Sequence, residues 1–213
     1  VDTPYGKPSS PLTSGKIEDV EVIIISRHGK RHELMPTHVP NQANIHALKE
    51  QGVTHILATS ACGSLKEDVA PGDFVIVDQF IDRTTKRPST FHEKDHVCHL
   101  PMANPFCNHL RANFNEACKK LNYKAEDRGT VITIEGPRLS TKAESHLWRQ
   151  WKADVINMST VPECVLAREK GICYSVICMA TDYDAFIEGK EANVTDILKV
   201  FKDNAERVKK VLL

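Results

Sequence analysis

The sequence lacks an excess of charge of either sign. Lysine plus arginine number 28 and aspartate plus glutamate number 28, so no global field draws in nucleic acid or an anionic membrane. A small anion held by a local pair of basic groups is compatible with that balance. No apolar run approaches the roughly 20 residues of a membrane-spanning helix. The opening Val1-Asp2-Thr3-Pro4-Tyr5-Gly6 has neither the basic start nor the apolar segment of a secretory leader. It does not begin with Met either, which leads to the expectation that something upstream was removed. Internal repeats, low-complexity tracts and interdomain linkers are missing too. What these absences leave is one soluble globular domain over residues 1–213, expected in the cytoplasm and extending to the nucleus, with no nucleic-acid or membrane partner.

Cysteine is present but not as a disulfide framework. Seven is an odd number, and Cys173 and Cys178 lie inside the apolar run GICYSVICMA, where a thiol behaves as a small hydrophobe. That usage fits a reducing compartment. His92, His96, Cys98 and His99 lie close together in sequence, but their spacing matches no standard zinc pattern, and no metal is expected.

Apolar residues make up 41% and charged residues 26%, which is ordinary for a folded chain, and their order predicts alternating strands and helices. Val20 to Ile25 reads as a buried strand delivering Arg27 and His28 at its carboxyl end. Ala43 to Gln51 reads as a helix stopped by Gly52. Val53 to Thr59 reads as a strand opening into a small-residue loop, Ser60 to Ser64, and Asp73 to Ile81 as a third strand. Asn104-Pro105 has the chemistry of a helix start, and Thr141 to Glu144 and Thr160 to Glu163 both have capping-box spacing. Thr130 to Ile134, Asp154 to Met158 and Ile172 to Thr181 are further strands, and a helix is predicted from Thr195 on. The fold class expected is α/β: a single domain with a central mixed β-sheet flanked by helices on both faces.

Four predicted strand ends share one character: Arg27-His28, Ser60-Ala61, Met158-Ser159 and Thr181-Asp182-Tyr183-Asp184. Ligands of open α/β sheets sit outside the carboxyl ends of strands. Arg27 and His28 offer cationic donors, and Ser60 and Ser159 offer hydroxyls and nearby backbone N–H groups, a set that suits phosphate. Asp182 and Asp184, two residues apart on an extended chain, suit an exocyclic amine and a ring nitrogen. Each piece alone has an ordinary reading as a surface ion pair, a turn residue or a cap. Their joint placement carries the functional one.

The residues then resemble a known family. Val155-Ile156-Asn157-Met158-Ser159-Thr160-Val161-Pro162-Glu163 resembles the N-M-(S/T) … P-E signature of the trimeric nucleoside phosphorylases, and Glu135-Gly136-Pro137-Arg138 its E-G-P-R segment. Ser26 to Gly29, Ala61 to Leu65, Pro71 to Asp73 and Met179 to Asp184 match in the same order, so the resemblance spans essentially the whole chain.

The resemblance implies a pentosyltransferase that splits a purine nucleoside with inorganic phosphate as co-substrate and needs no cofactor. Asp182 stands where 6-oxopurine enzymes carry Asn, which implies a 6-aminopurine nucleoside. The expected reaction is phosphorolysis of 5′-methylthioadenosine, with adenosine as a second substrate and another base preference as the alternative. The resemblance further implies that Arg27, His28, Ser60, the backbone at Ala61, and Ser159 hold phosphate. It sets Met158 against the ribose, His32 near the sugar–phosphate junction, Leu139 and Ser140 beside the base, and Asp182 and Asp184 at its edge, with Asp182 handling the proton on N7. His99 is implied in a neighbouring subunit's pocket, which requires a homotrimer. Ser60 and Ser159 replace threonines, Leu139 replaces an aromatic residue, and the His-rich loop is short. The family's N-terminal Gly-rich phosphate loop and C-terminal helix are not expected within residues 1–213.

Two other readings compete. Arg27-His28-Gly29-Lys30-Arg31 resembles the R-H-G-x-R signature of histidine phosphatases, but that family needs a second His late in the sheet, and no His follows His146. A nucleoside-binding protein without catalytic activity is the non-enzymatic reading.

Overall fold

A computed structural model describes residues 1–92, 96–190 and 193–213. Nine strands are present among them: β1 (Thr13–Ile17), β2 (Val20–Ile24), β3 (His55–Ser64), β4 (Phe74–Ile76), β5 (Gln79–Arg83), β6 (Ala125–Glu126), β7 (Thr130–Ile134), β8 (Val155–Asn157) and β9 (Cys173–Asp182). The helices are α1 (Asn41–Glu50), α2 (Asn108–Lys120), α3 (Lys142–Gln150), α4 (Thr160–Glu169) and α5 (Val194–Leu212). None of them is long and apolar enough to cross a membrane.

Seven strands form one sheet in the order β5-β7-β8-β3-β9-β4-β6. It is mixed: β3 runs parallel to β9 and antiparallel to β8, and β4 runs antiparallel to β9. Strand periodicity assigns the side chains to two faces. Val75 and Val77 of the β4 segment pack with Val131, Val176 and Cys178, and with Ile45 of α1 and Leu166 of α4. Phe74 and Ile76 point the other way, to Ile177, Met179, Phe114 of α2 and Val208 of α5. Ile132 likewise turns from Val131's side to meet Trp148 of α3. Helices therefore cover both faces, as the sequence implied. Every strand contributing to both clusters is an almost unbroken apolar run, which is what burial on two faces requires.

Several local expectations are corrected. Val20–Ile24 is a strand, but it pairs only with β1 in a two-stranded hairpin, and Val20 and Ile24 remain 64% and 61% exposed. An apolar run of this kind signals a strand, not which sheet it joins. Residues 60–64, expected as a loop, complete β3, because their backbone continues the pairing with β9 and then takes up β8 at Gly63 and Ser64. The predicted strand Asp73 to Ile81 is two strands: after β4 the N–H groups of Asp78 and Gln79 bond to the Gly129 carbonyl, and β5 then pairs with β7. Helix α2 starts at Asn108 behind Cys107, beyond the Asn104-Pro105 signal. The Thr141 capping box is present in full: the Glu144 N–H donates to Thr141 Oγ1 at 3.2 Å, and the Thr141 N–H to Glu144 Oε2 at 2.8 Å.

Leu166 is fully buried between α1, α4 and the sheet. Leu166→Ala is expected to cost about 2–5 kcal/mol. Urea and thermal unfolding check this, with the melting temperature falling about 2–4 °C per kcal/mol in a chain of this size.

Candidate functional site

A cleft of about 1460 Å³ opens between the β1–β2 hairpin, β3 and the segments that follow β8 and β9. Its shape follows from pairing. Residues His55 to Cys62 of β3 bond to β9 on one side, and β8 joins only at Gly63 and Ser64. The other edge of β3 therefore faces the hairpin across open space. Arg27, His28, His32, Ser60, Ala61, Leu139, Ser140, Met158, Ser159, Asp182 and Asp184 all line this one cleft. His99 does not; it is exposed on the segment after the undescribed residues 93–95. Rings of His92 and His96 lie 4.8 Å apart, but among the described residues no three His, Cys, Asp or Glu side chains gather around a possible metal position.

Arg27 sits just past β2 and reaches back to the sheet. Its Nε and Nη2 donate to the two oxygens of Glu163 at 2.9 and 2.7 Å, and Nη1 donates to the Thr59 carbonyl at 3.2 Å. The Tyr174 hydroxyl donates to Glu163 Oε2 at 2.6 Å. Burial disfavours the Arg27 charge, but the Glu163 carboxylate outweighs it and holds the guanidinium above its usual pKa. Glu163 was expected to close a capping box. Instead Ser159 takes the α4 N-cap without a side-chain bond, and Glu163 turns to Arg27. Capping and ion-pairing glutamates look alike in sequence; only the approach of residue 27 distinguishes them.

His28 is a different group from the cation expected. Its Nδ1 lies 2.9 Å from the Leu34 carbonyl, which can only accept, so Nδ1 carries the hydrogen. Burial lowers its pKa below the usual histidine value, helped by the charge of Arg27. At neutral pH the imidazole is therefore uncharged, with Nε2 an acceptor. His32 stacks on it at 4.7 Å, in a left-handed backbone conformation (φ 58°).

The hydroxyl side of the cleft is a connected network. Ser60 Oγ and Ser159 Oγ are 2.8 Å apart. The buried Asn157 amide donates to Ser60 Oγ at 3.0 Å and to Thr160 Oγ1 at 2.7 Å, while its carbonyl accepts from Thr133 Oγ1 at 3.0 Å. Asn157 thereby orients the Ser60 hydroxyl directly and the Ser159 hydroxyl through it. Its position in the N-M-S string was the available signal, but nothing in sequence distinguished an orienting amide from a strand residue.

The carboxylates stand at the end of β9. They are not on an extended chain as expected: Asp184 adopts φ 49°, and its N–H donates to Asp182 Oδ2 at 2.9 Å, closing a side-chain turn. Thr181 Oγ1 donates to Asp182 Oδ1 at 2.6 Å and lies 3.1 Å from the Cys62 carbonyl. Burial pushes the Asp182 carboxyl above its ordinary pKa, against the Thr181 hydroxyl; burial also raises Asp184, against the hydroxyls of Ser145 and Ser140. Two glycines make the close approaches possible. A Cβ on Gly63 would lie 3.2 Å from Asp182 Oδ2 and from Asp184 Cβ, and one on Gly136 would collide with Met158 Sδ. A side chain at Gly136, already at φ 66°, would drive Met158 from the cleft wall.

The arrangement thus offers one paired cation, neutral donors and acceptors, and two carboxyls that hold protons more readily than usual. The sequence matches the Phosphorylase superfamily over residues 1–213. It is 55% identical over 219 residues to the S-methyl-5′-thioadenosine phosphorylase of Danio rerio, covering 100% of this chain and 78% of that protein. The enzyme of the same name from Pyrococcus furiosus is 53% identical over 212 residues, with 100% and 82% covered. Among solved structures, methylthioadenosine phosphorylase from Schistosoma mansoni in complex with adenine superposes with TM-score 0.96 at 39% identity, covering 100% of this chain and 82% of that one. A mutant of the Schistosoma mansoni adenosine/methylthioadenosine phosphorylase in complex with methylthioadenosine gives TM-score 0.94 at 39% identity, with 100% and 81% covered.

The Arg27–Glu163 pair generates a prediction. Glu163→Ala leaves Arg27 largely buried without its partner, and is expected to cost about 3–5 kcal/mol in urea unfolding. A cost within about 0.5 kcal/mol of wild type would show that the pair does not hold the hairpin to the sheet.

Proposed function

The chain belongs to the phosphorylase superfamily, and from that membership we propose that it splits 5′-methylthioadenosine with inorganic phosphate into adenine and 5-methylthioribose 1-phosphate. This pentosyl transfer feeds purine and methionine salvage. The observation that carries the reading is the Asp182 carboxyl, lifted in pKa by burial, in the same cleft as Arg27 and the paired hydroxyls of Ser60 and Ser159.

The residues divide the work between the two ends of the cleft. Phosphate is bound by Arg27, by the Ser60 and Ser159 hydroxyls and by the backbone at Ala61. His28 accepts the phosphate's own O–H at Nε2, the role open to a neutral imidazole. Because Glu163 already neutralises Arg27, most of the anion's charge is met by fixed neutral dipoles, a preorganised environment that needs no rearrangement during the reaction. Met158 supports the ribose, and His32 borders the sugar–phosphate junction. Leu139 and Ser140 flank the base, and Asp182 and Asp184 bond its edge.

In the reaction a phosphate oxygen forms a bond to C1′ as the C1′–N9 bond breaks through an oxocarbenium-like state. The electron pair of the broken bond passes into the purine, which is neutralised by a proton delivered to N7 from Asp182. Phosphate is the only co-substrate, and neither metal nor cofactor takes part. Activity is assigned to a homotrimer in which His99 completes the pocket of a neighbouring copy. Sedimentation velocity checks the assembly: a fully active monomer would remove that role of His99.

The test of the assignment is base preference. A carboxyl that bonds the 6-amino group leaves a buried polar mismatch with a 6-oxo group. A buried polar group left without its partner costs roughly 1–3 kcal/mol, so inosine is expected to be split about tenfold less efficiently than methylthioadenosine. Asp182→Asn is expected to lower turnover of adenine nucleosides and shift preference toward inosine. The raised pKa of Asp182 adds a pH signature. Its protonated form is lost as pH rises through that raised value, so turnover falls on that side, and the fall disappears in Asp182→Asn. Steady-state kinetics on methylthioadenosine, adenosine and inosine across pH measure both. Equal cleavage of inosine and methylthioadenosine by the wild type would end the 6-amino assignment.

A further inference from the structure

Arg87 lies on the loop after β5, and its side chain is only 2% exposed. Its Nε donates to Glu135 Oε1 at 3.0 Å. Nη1 donates to the carbonyls of Met158 and Val161 at 2.7 and 2.9 Å, and Nη2 to those of Ile134 and Glu135 at 3.2 and 2.8 Å. These bonds use all five N–H donors of a guanidinium. A lysine ammonium has three donors radiating from one point and cannot reach the same set.

The acceptors join two parts of the cleft wall. Ile134 and Glu135 lead from β7 into Gly136, against which Met158 packs. Met158 and Val161 bracket Ser159 and Thr160, the stretch that faces the anion end of the cleft. Val161 is extended (φ −107°, ψ 133°) inside the α4 span, so its carbonyl leaves the helical ladder and is free to turn to Arg87. Glu135 is held in turn by the Thr37 hydroxyl at 2.9 Å and by the N–H groups of Thr85 and Lys86 at 2.8 and 3.1 Å. Burial would raise its pKa, but these donors and Arg87 outweigh it and hold the carboxyl down at about 2, so Glu135 remains a full counter-charge to Arg87. Replacing a buried ion pair with apolar groups is often neutral or stabilising, so stability alone does not account for a guanidinium here.

We infer that Arg87 is a positioning residue: by binding the Met158 and Val161 carbonyls it fixes the loop that presents Met158 to the sugar and Ser159 to phosphate. The inference rests on the proposed function for what that loop holds, but not for the loop's geometry. A misplacement of about 1 Å in a reacting assembly costs on the order of 10²-fold in rate. The experiment compares wild type, Arg87→Lys and Arg87→Ala by kinetics and by native-state hydrogen exchange. Both variants are expected to lower kcat roughly 10²-fold and to raise KM for phosphate more than KM for the nucleoside. Sub-denaturing guanidinium is expected to restore activity to Arg87→Ala, and methylammonium not to. Exchange at the Ser159 and Thr160 amides is expected to accelerate while that of β9 is unchanged. Wild-type kinetics and protection in Arg87→Lys would overturn the inference, as would a folded Arg87→Ala whose lost activity guanidinium leaves unrestored. If Arg87→Ala fails to fold, Arg87→Lys decides alone. If the wild type does not phosphorolyse methylthioadenosine, the functional assignment fails, and exchange at Ser159 and Thr160 still decides the role of Arg87.

Discussion

The cleft depends on one contact made across 136 residues of chain, the bidentate pairing of Arg27 with Glu163. The β1–β2 hairpin has no strand partner in the seven-stranded sheet, so side-chain contacts must hold its carboxyl end against β3 and α4. Arg27 makes three of them, to Glu163 twice and to the Thr59 carbonyl. The planar, five-donor guanidinium suits that task, because it satisfies a carboxylate and a carbonyl at once in fixed geometry. Tyr174, from β9, completes the Glu163 carboxylate from behind. The hairpin, the central strand and the α4 N-terminus are thereby tied at one point in the wall of the cleft.

That tie sets the electrostatics at one end of the site, and burial sets them at the other. The cation nearest the cleft is already paired, His28 is held neutral by burial and by the charge of Arg27, against its bond to Leu34, and Asp182 and Asp184 bind protons more tightly than exposed carboxyls. At the Arg27 end little unbalanced charge remains. Specific binding must then come from directed dipoles: a Ser60 hydroxyl aligned by Asn157 and coupled to that of Ser159, backbone N–H groups, and carboxyl oxygens whose lone pairs are partly committed to Thr181 and to the Asp184 N–H. Such a site distinguishes ligands by hydrogen-bond pattern more than by charge.

Two arginines serve the site at different depths. Arg27 faces the cleft with donors to spare beyond its pairing, whereas Arg87 lies behind it with every donor used on the protein. Gly63 and Gly136 complete the frame by subtraction, leaving room for Asp182 and Met158 where any side chain would intrude. Rigidity in the second layer is what lets groups on loops hold a ligand geometry to within tenths of an ångström.

Much of this was legible in the amino-acid order. The continuous apolar runs of Thr130–Ile134 and Cys173–Asp182 fixed buried strands, the Thr141–Glu144 spacing fixed a helix start, and the ordered motifs pointed to Arg27, His28, Ser60, Ser159, Met158, Asp182 and Asp184, all of which line one cleft. Local patterns report local preferences, and these were local. What the sequence could not specify was partnership. Whether Val20–Ile24 joins the main sheet, whether Glu163 caps a helix or binds Arg27, and whether His28 is charged are each settled by groups far along the chain or by burial. The sequence by itself determined which chemical groups are present and the elements that carry them; the tertiary structure alone decided their charge states and partners, because desolvation and hydrogen bonding act only once distant segments are packed together.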